Sequence, residues 1–379
     1  ERERRVVPLA ARTYRRHLLP LHDTHPPNSK TTTELDPQTL LPPHSHSQLA
    51  SMAQDRPESM NPLDEASSQP DEDLVATLPT REGWSTPLTL YDNCWLRSHM
   101  VGKLMLVREN FKPRPDDIIL ATHPKCGTTW LKSLAFTISS RSRYTFADHP
   151  LLTTNPQHVV PFIGVAGTGG DLDHLDALPS PRLLSTHLPL SLLPPAIATV
   201  GCRVVYICRE PKDAFVSRWH FDNKIGTGAP ISLEDAFDLF CQGCTPFGPF
   251  WDHYLQYWKE SLARPHEVMF LRYEEIVSDP LKVVRALACF LGVPFTEEEE
   301  KSGLAEQIVS FCSFESLRNL NANKAAGGIE RAGGKIFLEA SSLFRKGKVG
   351  DWVNHMSKDM GEKMDRLVED KFKPSGLEF

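Results

Sequence analysis

The sequence predicts an α/β fold: a single domain with a central parallel sheet covered by helices on both faces, and a phosphate-binding loop after one strand. Three observations predict it. Short uninterrupted apolar runs recur at Asp117–Thr122, Arg203–Cys208 and Glu267–Arg272. Helix-start residues follow them, at Thr128, Pro211 and Asp279-Pro280. Between these segments no Pro- or Gly-rich linker or internal repeat divides the chain. Strands buried on both faces read as continuous apolar runs, and parallel strands require helical crossovers.

The first 80 residues stand apart. They carry prolines from Pro8 to Pro79 with many Ser, Thr, His and Gln and few aromatic residues. Such a segment buries too little apolar surface to offset its ordering entropy, so 1–80 is expected to be a disordered extension and 81–379 the folded domain. The first methionine is Met52. Residues 1–51 are therefore expected not to belong to the natural product. The rival reading is a transit peptide, which Arg2, Arg4, Arg5, Arg12, Arg15 and Arg16 suit and Glu1 and Glu3 do not.

Asp117–Thr122 follows Pro113 and Pro115 and reads as a buried strand, with a helix over Thr128–Ser139. Leu183-Leu184 reads as a strand approaching its end near His187. Arg203–Cys208 is the next strand, and Pro211 suits the first turn of the helix after it. Ser232–Phe240 reads as an amphipathic helix. After Glu267–Arg272, Asp279 and Pro280 offer an N-cap and N1 pair. Leu281, Val284, Leu287, Ala288 and Leu291 then share one helical face, Gly292 stops that helix and Pro294 follows. Thr296 before Glu297–Glu300 reads as a capped helix start.

Composition excludes several classes. The net charge is −6, which argues against a primarily nucleic-acid-binding protein. No stretch approaches the ~20 apolar residues of a membrane span. The best candidate, Leu183–Val200, is broken by Pro189, Pro194 and Pro195. Eight scattered cysteines do not make a disulfide scaffold, so a reducing, cytosolic setting is expected. Cys241-Gln-Gly-Cys244 has metal-site spacing but no second pair, and reads as structural.

The segment His123-Pro-Lys-Cys-Gly-Thr-Thr-Trp130 lies between a strand and a helix. Helix N-termini present unpaired N–H groups and a positive dipole end to an anion. Gly127 permits close backbone approach, Thr128 and Thr129 add hydroxyls, Lys125 adds charge and Trp130 offers a flat face to a base. A plain strand-to-helix turn is the alternative. The loop lacks the G-x-x-x-x-G-K-[ST] string of nucleotide triphosphatases, and the strand Arg203–Cys208 ends in Arg209 instead of a metal-binding Asp. Phosphate binding without an obligatory metal ion is therefore expected.

Pro124-Lys-Cys-Gly-Thr-Thr-Trp130 resembles the P-K-[ST]-G-T-T-W loop of the cytosolic sulfotransferases. Phe344-Arg-Lys-Gly-Lys-Val-Gly-Asp-Trp352 resembles their C-terminal R-K-G-x-x-G-D-W segment. Ser185-Thr-His-Leu-Pro189, Arg209 with Ser217, and Tyr273-Glu-Glu fall between these in the family's order, and the resemblance covers about 84–379. Cys244-Thr-Pro-Phe-Gly-Pro-Phe-Trp251 looks most like the plant branch, whose members sulfate flavonoids, steroids, hydroxyjasmonate and desulfoglucosinolates in secondary metabolism.

The resemblance implies 3′-phosphoadenosine 5′-phosphosulfate (PAPS) as donor, a hydroxyl of a small organic molecule as acceptor, and no metal. It implies His187 as general base and Lys125 at the leaving phosphate oxygen. Backbone amides from Cys126, Gly127, Thr128 and Thr129 would hold the 5′-phosphate. Arg209, Ser217, Arg345, Lys346 and the Gly347 amide would hold the 3′-phosphate, Trp130 and Phe314 would flank adenine, and Tyr273 would bond its edge. By position, Phe162, Trp219, His220, Phe221 and residues near Trp84–Trp95 are candidates for the acceptor pocket. Three departures stand out: Cys126 where the family has Ser or Thr, Ser185 where animal members have Lys, and Cys312 in place of a Thr. The segment after Trp352 lacks the animal dimerisation motif K-x-x-x-T-V-x-x-x-E, so a monomer or weak homodimer is expected, with no nucleic-acid or membrane partner. A nucleotide kinase on a related fold and a bisphosphate-binding module without catalysis are the competing readings.

Overall fold

A four-stranded, fully parallel sheet forms the centre of the protein in a computed structural model that describes residues 72–84, 86–164, 172–225, 229–324, 328–330 and 337–379. Ala66–Phe379 gather in one compact unit. The expectations for the extension lie outside the described residues up to residue 71. Within 72–80, the helix Glu72–Thr77 precedes β1 (Thr80–Arg81), so regular structure begins ahead of the boundary expected at residue 81.

Next come β2 (Leu88–Tyr91) and β3 (Cys94–Arg97), which with β1 make an antiparallel sheet of order β1-β2-β3. The β2–β3 hairpin turns on Asp92 and Asn93, both at positive φ (48° and 61°). Asp and Asn tolerate that conformation, which matches the strand twist of a tight hairpin.

The central sheet comprises β4 (Ile118–Thr122), β5 (Leu183–Thr186), β6 (Arg203–Cys208) and β7 (Val268–Arg272), in the order β5-β4-β6-β7. β6 spans the expected residues, and β4 and β7 each begin one residue later than the apolar runs. Register pairs Ile118 with Leu183 on one side and with Arg203 on the other.

Burial alternates along the strands with period two. Ile118, Leu120, Val205 and Ile207 face one core, and Ile119, Ala121, Val204 and Tyr206 face the other. Helices Thr128–Ser140 and Pro280–Phe290 cover the first face through Leu131, Leu134, Val284 and Leu287. Ser98–Asn110, Pro211–Ile225 and Phe250–Ala263 cover the second through Leu104, Phe215 and Tyr257. Burial on both faces is what makes the strand sequences apolar throughout.

Local signals act as expected. Asp279 accepts from the Lys282 amide, and Thr296 exchanges hydrogen bonds with Glu299 in a capping box. Ser232 caps Leu233–Cys241. At the foot of the sheet, fully buried Arg182 and Asp117 form a two-pronged pair at 2.8 and 2.6 Å, which staples the start of β5 to the start of β4. No helix among the described residues is long and apolar enough to cross a membrane.

Candidate functional site

The sheet delivers four of the candidate groups by one rule: each follows the carboxyl end of a parallel strand. The loop 123–127 follows β4, His187 follows β5, Arg209 follows β6 and Tyr273 follows β7. The chain passes from β4 to β5 on one side and then from β5 across to β6 on the other, so a crevice opens there, the usual ligand position in such sheets. A cavity of about 390 Å³ occupies it.

The loop after β4 is curled. Lys125 (φ 72°) and Gly127 (φ 108°) are both in the left-handed region. At Gly127 a Cβ would sit 3.0 Å from the Tyr273 ring and 3.3 Å from Ile207, so a side chain there would be both crowded and strained. Gly127 also starts the helix Thr128–Ser140, whose first amides have no helical acceptors. The Thr128 hydroxyl lies 2.7 Å from Thr122 Oγ1, and Thr129 Oγ1 accepts from Gln157 Nε2 at 3.1 Å, which leaves the Thr129 O–H to donate elsewhere. Lys132, one turn further on and buried, donates to Gln157 Oε1 and to the Val160 carbonyl, fixing Gln157 against the loop.

His187 sits at the end of β5 with Nδ1 2.9 Å from the Thr122 carbonyl and 3.2 Å from Thr122 Oγ1. Its main-chain oxygen accepts from His253 Nε2 at 3.0 Å, and Tyr206 Oη lies 2.8 Å from His253 Nδ1. His253 is buried and its pKa is pushed down to about 4, so that ring is neutral. Phe162 and Phe247 flank the His187 ring at 5.0 and 5.7 Å.

Lys125 Nζ stands 3.9 Å above the Phe221 ring. Burial, with the charges of Arg218, Arg209 and Arg345, pulls its pKa down to about 7, and Asp222 partly opposes this. Arg209 is 5% exposed, donates to the Lys348 carbonyl at 2.8 Å and lies over the Tyr273 ring, while its Nε has no hydrogen-bond partner.

The segment 345–352 closes the cavity from the C-terminal side. Asp351 takes Arg345 at 2.5 Å and Lys346 at 2.9 Å, and these hydrogen bonds hold its carboxyl far below the usual range against the opposing effect of burial. Arg345 Nε is also buried without a partner. Buried Asp213 accepts from the Gly350 and Trp352 amides at 2.7 and 3.0 Å and so binds this segment to the helix Pro211–Ile225. That helix also carries Ser217. Gly347 (φ 65°) packs so closely on Phe314 that a Cβ would meet the ring at 2.5 Å.

Lys125, Gly127, Thr128, Thr129, Trp130, His187, Arg209, Ser217, Tyr273, Phe314, Arg345, Lys346 and Gly347 all line this one cavity. Cys126, expected to act through its backbone amide, is not among the lining residues. Its side chain is fully buried 3.1 Å from Tyr254 Oη, its amide donates to the His123 carbonyl at 3.3 Å, and burial pushes its thiol up to about 12. Its side chain meets the helix Phe250–Ala263 at Tyr254 instead of lining the cavity. Tyr273 likewise spends its hydroxyl proton on the Gly347 carbonyl at 3.2 Å, and its ring meets Trp130 edge-on at 5.4 Å.

Of the acceptor-pocket candidates, Phe162 and Phe221 line the cavity. Trp84 packs on Phe215 in the core, Trp219 donates to the Ile231 carbonyl, and His220 meets His355 edge-on. Arg97, Met100, Arg218, Asp222 and Phe247 line it without having been anticipated. The departures are accommodated. The Ser185 hydroxyl donates to the Pro161 carbonyl and Cys312 lies 3.4 Å from Thr137 Oγ1. Cys241 and Cys244 are free thiols, and no group of three or more His, Cys, Asp or Glu side chains suited to a metal ion occurs among the described residues.

A family model described as "Sulfotransferase domain" matches residues 115–376. Cytosolic sulfotransferase 16 of Arabidopsis thaliana is 44% identical over 311 residues, covering 81% of this chain and 91% of that protein. A solved Arabidopsis thaliana structure assigned as a steroid sulphotransferase superposes with a TM-score of 0.66 at 34% identity, over 85% of this chain and 99% of that one. Mouse sulfotransferase SULT7A1 complexed with PAP gives 0.59 at 27% identity, over 76% and 95%.

Proposed function

The chain belongs to the sulfotransferase family, and from that premise we propose that it moves the sulfuryl group of PAPS to a hydroxyl of a small organic acceptor, with His187 as general base and Lys125 at the leaving phosphate oxygen. The observation that carries this reading is the cavity itself, where the curled loop, Arg209 and a histidine at strand ends meet Arg345 and Lys346 from the C-terminal segment.

The residues present suit a donor with phosphates at both ends of an adenosine. Arg209 and Arg345 each keep a buried Nε without a partner, a costly arrangement that an anion relieves. Lys125 is held among like charges, which a dianion offsets. In this reading the amides that open the helix Thr128–Ser140 hold the 5′-phosphate. Arg209, Ser217, Arg345, Lys346 and the Gly347 amide hold the 3′-phosphate, while Trp130 and Phe314 enclose the base. Arginine suits the task because its fork meets phosphate oxygens in pairs.

Bound there, the donor supplies the sulfuryl group and departs as adenosine 3′,5′-bisphosphate (PAP). The protein holds the acceptor oxygen near His187, whose Nε2 takes the hydroxyl proton. Lys125 meets the charge that develops on the leaving phosphate oxygen. The acceptor lies among Phe162, Phe221 and Phe247, an apolar wall that excludes water. The catalytic domain in this reading is 81–379, acting in the cytosol as a monomer or weak homodimer.

Thermal unfolding with PAP, adenosine 5′-monophosphate and magnesium–ATP tests the donor. Selective stabilisation by PAP is expected, because a ligand bound only by the native state raises apparent stability. Selective stabilisation by magnesium–ATP, or by none of the three, would overturn the reading.

A further inference from the structure

Six cationic side chains line the cavity and one carboxylate, Asp222, accompanies them among the described residues. Lys125, Arg209, Arg345 and Lys346 face the donor in the reading above. Arg97 and Arg218 remain, and they share Asp222. Arg218 holds one of its oxygens, with Nε 2.6 Å from Oδ2, while Oδ1 makes no hydrogen bond. Arg97 reaches Oδ1 only at 3.6 Å, beyond hydrogen-bond range, and its Nε is buried with no partner. Two guanidinium groups against one carboxylate leave one positive charge in excess, on an Arg97 side chain only 14% exposed, in a cavity whose lining also includes Met100, Phe221, Phe247 and Ile225.

A buried charge without a full partner is expensive, and a guanidinium left short by one carboxylate is completed by a second. Its planar fork suits a carboxylate in particular. Burial pulls the Arg97 pKa down, Asp222 raises it and the Arg218 charge lowers it again, so the site gains from an added anion. Arg97 ends β3 where the chain turns into the helix Ser98–Asn110, and Arg218 and Asp222 lie one turn apart on the helix Pro211–Ile225. The cluster is thus held on regular elements.

We propose that Arg97, backed by the Arg218–Asp222 pair, is an anion-recognising subsite for the acceptor, and that the preferred acceptors are hydroxylated molecules with an apolar body and a carboxylate. The proposal rests on the sulfotransferase reading.

The test uses the PAP-loaded full chain and hydroxyphenyl-alkanoic acids with one to four methylenes, each beside its methyl ester. Calorimetric binding to the PAP complex and kcat/KM with PAPS are read for every pair. At least one acid is expected to exceed its ester roughly tenfold or more, the worth of a charge-assisted hydrogen bond. Arg97→Met should erase that preference while leaving ester binding within about threefold, and Arg97→Lys should restore part of it, since the charge returns without the fork. Unchanged stabilisation by PAP shows that each variant is folded. If no acid exceeds its ester, or if Arg97→Met weakens acids and esters alike, the subsite does not exist. Failure of PAP to bind the wild-type chain sinks the sulfotransferase reading instead, a separate outcome.

Discussion

The Nδ1 of His187 lies 2.9 Å from the carbonyl oxygen of Thr122, the last residue of β4 and the root of the phosphate loop. A carbonyl only accepts, so Nδ1 carries the proton and a neutral ring keeps its lone pair on Nε2. One strand end therefore sets both the tautomer of the proposed base and the start of the loop.

His187→Asn should lower kcat by about 10²–10⁴, the usual worth of a positioned general base. PAP affinity should stay within about threefold, since ring and nucleotide share no contact in the proposed arrangement. Steady-state kinetics beside calorimetric PAP titration separates the two. Loss of nucleotide binding would mark His187 as structural.

Lys125 has a pKa of about 7 without an anion, and a bound phosphate favours its charged form. The bound pKa is therefore higher, and nucleotide binding takes up a proton as pH rises above 7. Below 7 the lysine is already charged and contributes no uptake. PAP affinity should fall as pH rises from 7 towards the bound pKa. Titrations at pH 8 in buffers of different ionisation enthalpy read the uptake, which Lys125→Met should remove. Equal uptake in that variant would assign the proton to another group, such as Glu210, whose carboxyl burial raises to about 7.

Arg209→Met should weaken PAP by roughly 10- to 100-fold and adenosine 5′-monophosphate by less than about threefold, because a charge-assisted pair is lost only where a 3′-phosphate exists. Parallel losses for both nucleotides would take Arg209 out of that role.

Asp117→Ala removes the buried partner of Arg182 and leaves it only the half-exposed Asp176 as a carboxylate, and should cost about 3–5 kcal/mol in urea unfolding. Replacing both residues by Leu and Met should recover a large part. A loss below about 1 kcal/mol would put this pair with surface ion pairs.

What was legible in the sequence is what neighbours in sequence decide. β4, β6 and β7 announce themselves as apolar runs because helices cover both faces, and Asp279 and Thr296 cap helices with their own side chains. The β1–β3 sheet was not anticipated. β1 is two residues long, and its only local mark is Asp92-Asn93 at positive φ. The donor half of the cavity was readable because it hangs on loops at strand ends. The Arg97–Asp222 contact was not, since it joins the end of one edge strand to a helix far along the chain, and neither residue belongs to a motif. The surroundings of the Cys126 side chain were not legible either, because the loop pattern does not reveal what a buried side chain in it meets. Tyr254 is its partner, and only the fold brings the two together.

Asp213 ties the Gly350 and Trp352 amides to the helix after β6, and the cations at 345 and 346 come with them. This has a consequence during synthesis. The loop 123–127, His187 and Arg209 leave the ribosome long before residue 352, yet all belong to one compact unit, and a domain folds as a unit. A nascent chain that has not yet released residues 345–352 therefore lacks one wall of the proposed nucleotide site. In the proposed arrangement, firm binding of PAP waits until residues 345–352 have emerged and docked on Asp213.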